Sequence, residues 1–220
     1  SRVLAGGSLA LGESYMDGWW NCEQIDEMMF KIISAKLEEK VTPKISITYD
    51  VLLAKLTNLQ SSKKAFNIGE KHYNLGNDLF QNMLDKRMNY SCAYWENATS
   101  LDEAQENKLE LICRKLNLKS GMRVLDIGCG WGAFCKYAAE EYDVSVVGIT
   151  VAKEQVAFGE ELCKDLPVEF RFQDYREINE KFDHIVSVGM IEHVGYKNYK
   201  TYFEVANRCL NDDGLFLLHT

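Results

Sequence analysis

The sequence lacks a long hydrophobic run and an excess of positive charge. None of its apolar runs approaches the roughly 20 residues that are needed to span a bilayer, and no secretory signal is visible. The formal net charge is -8 and the isoelectric point is near 5.1, which argues against a broad nucleic-acid-binding surface. Local basic pairs such as Lys63–Lys64 and Lys86–Arg87 still allow contact with a membrane-surface substrate.

Metal-binding motifs are missing as well. The sequence contains no C-x-x-C pair and no H-E-x-x-H motif, and Glu192–His193 is an isolated dipeptide. We therefore expect no structural metal site. The seven cysteines are an odd number without the spacing of a disulfide framework, which predicts reduced thiols in a cytoplasmic protein.

Both ends of the sequence favour a piece of a longer chain. The sequence begins at Ser1 without an initiator methionine and stops at Thr220, inside an apolar run typical of a strand. A native end there would leave an exposed hydrophobic edge, which proteins generally avoid. We therefore expect the last strand to lie at an unprotected sheet edge or to pair with another chain.

Composition divides the chain into a helical lobe over residues 1–60, a connecting segment with a helix over 61–120, and a ligand-binding domain over 121–220. Within the lobe, Trp19 and Trp20 could contact lipid or a partner, although an ordinary helical packing unit is the favoured interpretation. Apolar spacing and glycine content predict an aromatic turn over Gly12–Trp20, a helix over Ile25–Glu39 and a second helix over Val51–Leu59.

From Arg123 onward, apolar strand-like runs alternate with helical patterns. Before this region, Leu101–Leu116 is expected to be a helix, with Ser100 as its N-cap and Glu103 completing a capping box. The alternation predicts an α/β fold, a doubly wound parallel sheet. Its strands are expected near 123–128, 144–149, 168–172, 183–189 and 214–219, and its helices near 131–141, 152–164 and 198–209.

The first predicted strand runs into a glycine-rich turn, and this run of sequence is the most informative in the chain. Gly128, Gly130 and Gly132 alternate with other residues and are followed by Ala133 and a helical pattern. Such a turn brings backbone N–H groups of a helix N-terminus close to a ligand. The sequence therefore predicts a site for a nucleotide-like cofactor.

The identity of the cofactor depends on where the acidic residue lies. A dinucleotide site expects a carboxylate at the end of the second strand, but that strand ends in Thr150 with no acid beside it. Asp126 instead lies at the tip of the first strand, where it would repel a pyrophosphate and attract a cationic head group and sulfonium. The pattern resembles motif I of S-adenosylmethionine-dependent methyltransferases, and a nicotinamide site is the less favoured alternative.

Several polar residues follow the predicted strands, at the sheet edge where ligands bind in such folds. Tyr175 could cover an adenine or be a partly buried surface tyrosine, and Gln155 could bind a ribose or be a solvated helix residue. Glu192 and His219 are expected on one side of this crevice, and Glu192 should be partly desolvated unless it is paired. Cys92 could join them only if its segment folds back over the crevice.

Taken together, the sequence resembles the cyclopropane fatty acid synthase family, which includes the mycolic acid cyclopropane synthases. The most specific matches are Tyr90–Trp95, which reads YSCAYW, and Glu192–Gly195, which reads EHVG. The resemblance implies a class I methyltransferase-like fold, incomplete at the C-terminus. It also implies transfer of a methylene group from S-adenosylmethionine to the cis double bond of an unsaturated phospholipid acyl chain. In the family, a bound bicarbonate deprotonates the resulting carbocation.

The resemblance also implies which residues form the site. The bicarbonate ligands carry over to Cys92, through its backbone, and to Glu192 and His219. The cofactor-binding residues carry over to Tyr90, Ser91, Leu125, Asp126, Gly128, Gly130, Gly132, Ala133, Thr150, Val151, Gln155, Tyr175 and Arg176.

The expected partner is an unsaturated phospholipid at the inner membrane surface, where a cytoplasmic, peripheral protein could reach it. No nucleic-acid partner is expected, and the resemblance is compatible with a homodimer. Two alternatives stay open at this stage. The protein could be another lipid C-methyltransferase that stops at methyl addition, or a cofactor- or membrane-binding fragment without turnover.

Overall fold

The computed structural model describes residues 2–36, 66 and 77–220. The chain divides into two compact units, Ser1–Asn58 and Leu59–Thr220. The helix expected over Val51–Leu59 and the pair Lys63–Lys64 lie outside the described residues. No helix within the described ranges is both long enough and apolar enough to cross a membrane.

The first unit contains two described helices, α1 (Arg2–Met16) and α2 (Ile25–Ser34). Helix α1 is kinked at Gly7, whose φ is 63°. The aromatic turn was predicted to begin at Gly12, which is wrong, because Gly12 continues α1 and the chain turns only after Met16. The Trp20 indole then donates a 2.8 Å hydrogen bond to Ser14 Oγ and folds the turn back onto α1.

Helix α2 ends five residues earlier than the apolar spacing predicts. The predicted end was Glu39, whereas the helix stops at Ser34. Ala35 caps the helix, and Lys36 then adopts a left-handed backbone conformation with φ at 50°. A left-handed residue cannot continue a right-handed helix, so this single position sets the boundary.

The second unit is built around a five-stranded sheet in the order β3-β2-β1-β4-β5, with every neighbouring pair parallel. This order reverses direction at β1 and confirms the predicted doubly wound α/β fold. The strands are β1 (Arg123–Ile127), β2 (Ser145–Thr150), β3 (Val168–Phe172), β4 (Phe182–Val188) and β5 (Leu210–His219). The predicted positions were close, except that β5 begins at Leu210 rather than Gly214.

The second unit has six described helices, and those that pack on the sheet cover both of its faces. They are α3 (Asn77–Met83), α4 (Leu101–Lys115), α5 (Ala133–Tyr142), α6 (Lys153–Leu162), α7 (Ile191–Val194) and α8 (Tyr199–Cys209). The capping box of α4 forms, because Ser100 Oγ accepts from the Glu103 N–H at 3.3 Å. The Glu103 carboxylate accepts hydrogen bonds from the N–H and the hydroxyl of Thr99, both at 2.7 Å.

Side chains at alternate positions along the strands pack into two separate hydrophobic cores. Val124 and Val146 face one core, which α4 and α5 cover, whereas Leu125 and Val147 face the other, which α8 covers. This alternation follows from the two-residue period of a strand. The inner strands β1, β2 and β4 are buried on both faces and are therefore mostly apolar, whereas the edge strand β3 alternates with exposed or half-buried Glu169 and Arg171.

Strand β5 lies at one edge of the sheet, and β4 is its only partner among the described strands. This position agrees with the edge location that the apolar run before Thr220 predicts. A bulge between Phe182 and His184 interrupts the pairing of β4 with β5. Above the bulge the two strands stay in register, and Val188 pairs with His219 at the end of the sheet.

Candidate functional site

The glycine turn after β1 is held against β2 by two backbone hydrogen bonds. The N–H groups of Gly128 and Cys129 both donate to the carbonyl of Ile149, at 3.0 and 3.1 Å. Gly130, with φ at 56°, has open space where a side chain would stand. A Cβ on Gly132, with φ at 90°, would come within 2.5 Å of the Phe170 ring. Gly130 therefore leaves room for a ligand, whereas Gly132 serves the packing of β3.

Two adjoining clefts open beside this turn. The first, the strand-end cleft, is bounded by residues that follow β1, β2, β3 and β4; the predicted residues on it are Gly128, Gly130, Thr150, Val151, Gln155, Tyr175 and Arg176. The second, the inner cleft, lies between the turn and the segment before α4; the predicted residues on it are Tyr90, Ser91, Asp126, Gly128, Gly130, Ala133 and Gln155. The shared residues show that the two clefts meet at the glycine turn.

Two of the predicted cofactor residues line neither cleft. Leu125 is fully buried and its side chain packs in the core on the α8 side of the sheet. The Phe170 ring occupies the space that a side chain at Gly132 would need. Both residues belong to the matched sequence motif, but Leu125 faces away from the crevice and Gly132 allows Phe170 to pack.

Asp126 is the acidic group of the inner cleft. It is 3% exposed, and the Cys135 thiol lies 3.5 Å from its Oδ2. Burial raises the pKa of Asp126 to about 7, and the contact with Cys135 only partly opposes this. A buried carboxyl group without a cationic partner among the described residues can accommodate a positively charged group of a ligand.

Thr150 and Gln155 form a fixed pair at the end of β2. The Thr150 hydroxyl donates to Gln155 Oε1 at 2.6 Å and also accepts from the N–H of Ala152 at 3.2 Å. Gln155 is 3% exposed, so it is not a solvated helix residue. The bond occupies the amide oxygen and leaves the amide NH₂ as a donor toward a ligand. This neutral pair stands where a dinucleotide site would carry an acid.

Tyr175 and Arg176 follow β3 in a short 3₁₀ turn that Asp174 caps. The Tyr175 ring packs edge-on against Tyr202 with centroids 5.2 Å apart, and it is buried rather than at the surface. Its hydroxyl is buried without a hydrogen-bond partner in the part of the chain that the structure describes. Arg176 pairs with Asp174 at 2.7 Å, so its charge is largely neutralised within the turn.

A third cavity, the histidine pocket, brings together Cys92, Glu192 and His219. The Cys92 thiol lies 3.5 Å from His219 Nε2, so the segment before α4 does fold back over the sheet edge. Glu192 lies in α7 and is exposed, and the Thr220 hydroxyl donates to it; partial desolvation was expected only for an unpaired carboxylate. The pocket mouth is apolar and aromatic, with Phe80 and Tyr90 among its walls.

The charges in the histidine pocket are balanced by nearby groups. Burial opposes ionisation of Glu192, but a 2.7 Å hydrogen bond from the Thr220 hydroxyl and the nearby histidines more than offset it, so its pKa is lowered. Burial and the positive charge of Lys108 lower the pKa of His219, although Glu192 acts in the opposite direction. His219 is therefore neutral at pH 7, and its buried Nδ1 has no partner among the described residues.

Lys108 is a site residue that the sequence analysis missed. It is 4% exposed in α4, lines the inner cleft, and donates a 2.8 Å hydrogen bond to Ser91 Oγ. Burial lowers its pKa to about 8. The sequence does carry a signal, because Lys108 lies four residues from both Ala104 and Ile112, on the buried face of the helix.

The chain is similar to known proteins both in sequence and in structure. A family model described as mycolic acid cyclopropane synthetase covers residues 60–220. The cyclopropane-fatty-acyl-phospholipid synthase of Escherichia coli is 56% identical over 219 residues, which are 100% of this chain and 57% of that protein. Cyclopropane mycolic acid synthase 3 of Mycobacterium tuberculosis is 44% identical over 156 residues, which are 69% of this chain and 54% of that protein. The chain thus spans little more than half the length of these relatives.

Solved structures agree with these sequence matches. A mycolic acid cyclopropane synthase complexed with SAH and CTAB is 41% identical, with a TM-score of 0.69 over 70% of this chain and 56% of that one. A coclaurine N-methyltransferase, 24% identical with a TM-score of 0.76 over 96% of this chain and 63% of that one, shares the fold alone. The second unit therefore has the class I methyltransferase-like fold. With its glycine turn and histidine pocket inside the matched region, the chain belongs to the mycolic acid cyclopropane synthetase family.

Proposed function

We propose that this chain is the cofactor-binding part of a phospholipid cyclopropane synthase. The reaction transfers a methylene group from S-adenosylmethionine to the cis double bond of an unsaturated phospholipid acyl chain. The observation that carries the proposal is the convergence of Cys92, Glu192 and His219 in one largely apolar pocket, which shares Tyr90 and Ser91 with the inner cleft. The name of the Escherichia coli relative supports a phospholipid as the substrate.

S-adenosylmethionine supplies an electrophilic methyl group on a positively charged sulfur. The residues of the two clefts fit such a compound, because the buried Asp126 carboxyl lacks a cationic partner among the described residues. The Gln155 amide offers a donor at the end of β2, and open space at Gly130 allows close approach to the backbone. The buried Tyr175 hydroxyl on the strand-end cleft offers a further polar contact.

Bicarbonate would supply a base for the carbocation that methyl transfer creates. Its single O–H needs an acceptor and its oxygens need donors. The Glu192 carboxylate is the acceptor, and the Cys92 backbone N–H and the His219 ring are donors. The lowered pKa values of Glu192 and His219 fit these roles, because they hold the carboxylate ionised and the ring uncharged.

The walls of the histidine pocket suit a short-lived carbocation. An alkene is a poor nucleophile, so the protein has to hold it close to the methyl donor and in line with it. Phe80 and Tyr90 pack edge-on with centroids 5.7 Å apart, and aromatic faces stabilise a cation without attacking it. An apolar wall also keeps water from capturing the cation before the proton is lost.

We propose further that the protein acts as a peripheral, cytoplasmic protein at the inner membrane surface, since a phospholipid acyl chain would be its substrate. A homodimer also remains part of the proposal. Co-sedimentation with vesicles of unsaturated phospholipid, together with sedimentation equilibrium in solution, tests both expectations. Absence of vesicle binding would contradict the peripheral location, and a monomer at micromolar concentration would contradict the dimer.

The decisive experiment incubates the chain with S-adenosylmethionine and vesicles of unsaturated phospholipid, followed by mass analysis of the released acyl chains. We expect a gain of one CH₂ unit in a form that resists hydrogenation. Glu192→Gln should abolish the product, whereas Glu204→Gln, an exposed carboxylate on α8, is the matched control and should not. A methyl-branched alkene as product would replace the cyclopropane assignment with simple C-methylation. Calorimetry that detects no binding of S-adenosylhomocysteine would contradict the proposal altogether.

A further inference from the structure

Lys108 brings a charged group into the interior of the second unit. Its side chain is 4% exposed, and its Nζ donates to Ser91 Oγ at 2.8 Å. Within residues 77–220 it forms no ion pair with any carboxylate. Burying an ammonium group without such a partner costs several kcal/mol in general, so a structural role alone does not account for it.

Helix α4 forms three hydrogen bonds with the segment that carries Cys92. Lys108 holds the Ser91 hydroxyl, Gln105 donates to the Ser91 carbonyl at 3.0 Å, and the carbonyl of Ala104 accepts from the N–H of Tyr94 at 3.0 Å. Cys92 lies between these points, with its thiol 3.5 Å from His219 Nε2. Lys108 therefore holds the residue next to the one that faces His219.

The positive charge of Lys108 reaches the histidine pocket, because it contributes to the lowered pKa of His219. Asp85 opposes the lowering of the Lys108 pKa most strongly, and the Asp85 carboxylate accepts hydrogen bonds from the N–H groups of Asn89 and Arg87, at 2.7 and 3.1 Å. The other titratable groups facing this region are Tyr90, Cys92, Lys115, Asp126, Glu192, His193 and His219.

We propose that Lys108 is a positioning residue, which fixes the Ser91–Cys92 segment opposite His219 and supplies the positive charge that favours an anion there. It acts through Ser91 and through its electrostatic field rather than by touching the reacting atoms. The inference rests on the proposed function, because the anion is the bicarbonate of that reaction. Nothing in the resemblance to cyclopropane synthases assigns this role, which follows from the burial and hydrogen bond of Lys108.

The test compares Lys108→Met, which keeps length and removes charge, with Lys119→Met, an exposed lysine that serves as the matched control. Binding of ¹³C-bicarbonate and the pH titration of the His219 ring are both followed by NMR. We expect Lys108→Met to weaken bicarbonate binding about tenfold, as loss of one nearby charge in a partly buried site does, and to raise the pKa of His219. Unchanged values of both quantities in a folded Lys108→Met protein would overturn the inference.

A second measurement needs no variant. In the wild-type protein, bicarbonate affinity should fall as the pH rises through about 8, where Lys108 loses its charge. An affinity that stays level through that range would overturn the inference even if Lys108→Met failed to fold. Absence of bicarbonate binding in the wild-type protein would overturn the proposed base and this inference together. If the wild-type protein binds bicarbonate and the Lys108→Met protein has the same affinity and the same His219 pKa, the inference is overturned and the proposed base is not.

Discussion

The Tyr202 hydroxyl donates a 2.6 Å hydrogen bond to Ser187 Oγ, which in turn donates to the carbonyl of Ile127 at 2.9 Å. All three residues are buried. The chain of bonds joins α8 through β4 to the last residue of β1, immediately before the glycine turn. A helix on one face of the sheet thus helps to fix the backbone that leads into the cofactor clefts.

Replacement of these two hydroxyl groups should have unequal effects. Tyr202→Phe removes one hydrogen bond and leaves Ser187 bonded to Ile127, so we expect a loss of about 1 kcal/mol in the free energy of unfolding. Ser187→Ala leaves both the tyrosine hydroxyl and the Ile127 carbonyl without this partner, and should cost about 2–3 kcal/mol. Urea denaturation of both variants measures the difference. A larger loss of unfolding free energy for Tyr202→Phe than for Ser187→Ala would contradict this chain of hydrogen bonds.

Two glycines of the turn should differ in what alanine does to them. Gly130→Ala meets open space and should cost about 1–2 kcal/mol for the left-handed backbone alone. Gly132→Ala adds a clash with the Phe170 ring and should cost clearly more. Thermal unfolding compares their stability. Equal midpoints would show that Phe170 moves aside without cost.

Asp126 should make the ligand-free protein less stable as the pH rises. Its folded pKa of about 7 lies above the ordinary value of 3.8, so its stabilising contribution is complete below about pH 4 and is lost as the pH rises through 7. The shift corresponds to at most about 4 kcal/mol at pH 8. Asp126→Asn should therefore stabilise the ligand-free protein at pH 8 more than at pH 5, while it weakens binding of S-adenosylmethionine. Unfolding in urea at both pH values tests the sign, and a variant that is destabilised more at pH 8 would refute it.

His184 should make the pairing of β5 sensitive to acid. Its Nδ1 accepts a 3.0 Å hydrogen bond from the N–H of Leu215, and burial lowers its pKa despite the nearby Asp183. The bond is therefore stable above pH 6.5 and is lost as the pH falls through the lowered folded pKa. Hydrogen exchange at the Leu215 amide should accelerate over this range beyond the intrinsic pH dependence. His184→Phe serves as the control, because it removes the titrating group and should abolish the extra pH step.

The strand positions could be predicted because the inner strands β1, β2 and β4 are mostly apolar runs buried on both faces. The crevice could be predicted too, since parallel strands end at one edge and place Asp126 and Thr150 together. The approach of Cys92 to His219 was expected only through the family resemblance, because it depends on how α4 holds the segment that carries Cys92. Lys108 was missed for the same reason, since its role depends on a hydrogen bond to a residue in another element.

The helix ends were the least predictable part of the fold. Apolar spacing continues past Ser34, but the backbone of Lys36 overrides it. Glycine content suggested a turn at Gly12, where the chain stays helical. The exposure of Glu192 was equally hidden, because the apolar residues before it leave the sheet at Val188 and enter α7 instead of extending the strand.

The ring of Phe170 occupies the space that side chains would need at both Gly132 and Gly159. One aromatic residue therefore acts as a common spacer for the start of α5 and the middle of α6. Substitutions at these three positions cannot be accepted independently, because a larger residue at either glycine demands a smaller one at 170. In natural homologues or in a combinatorial library, the three sites should accordingly change in concert, with their summed volume held nearly constant.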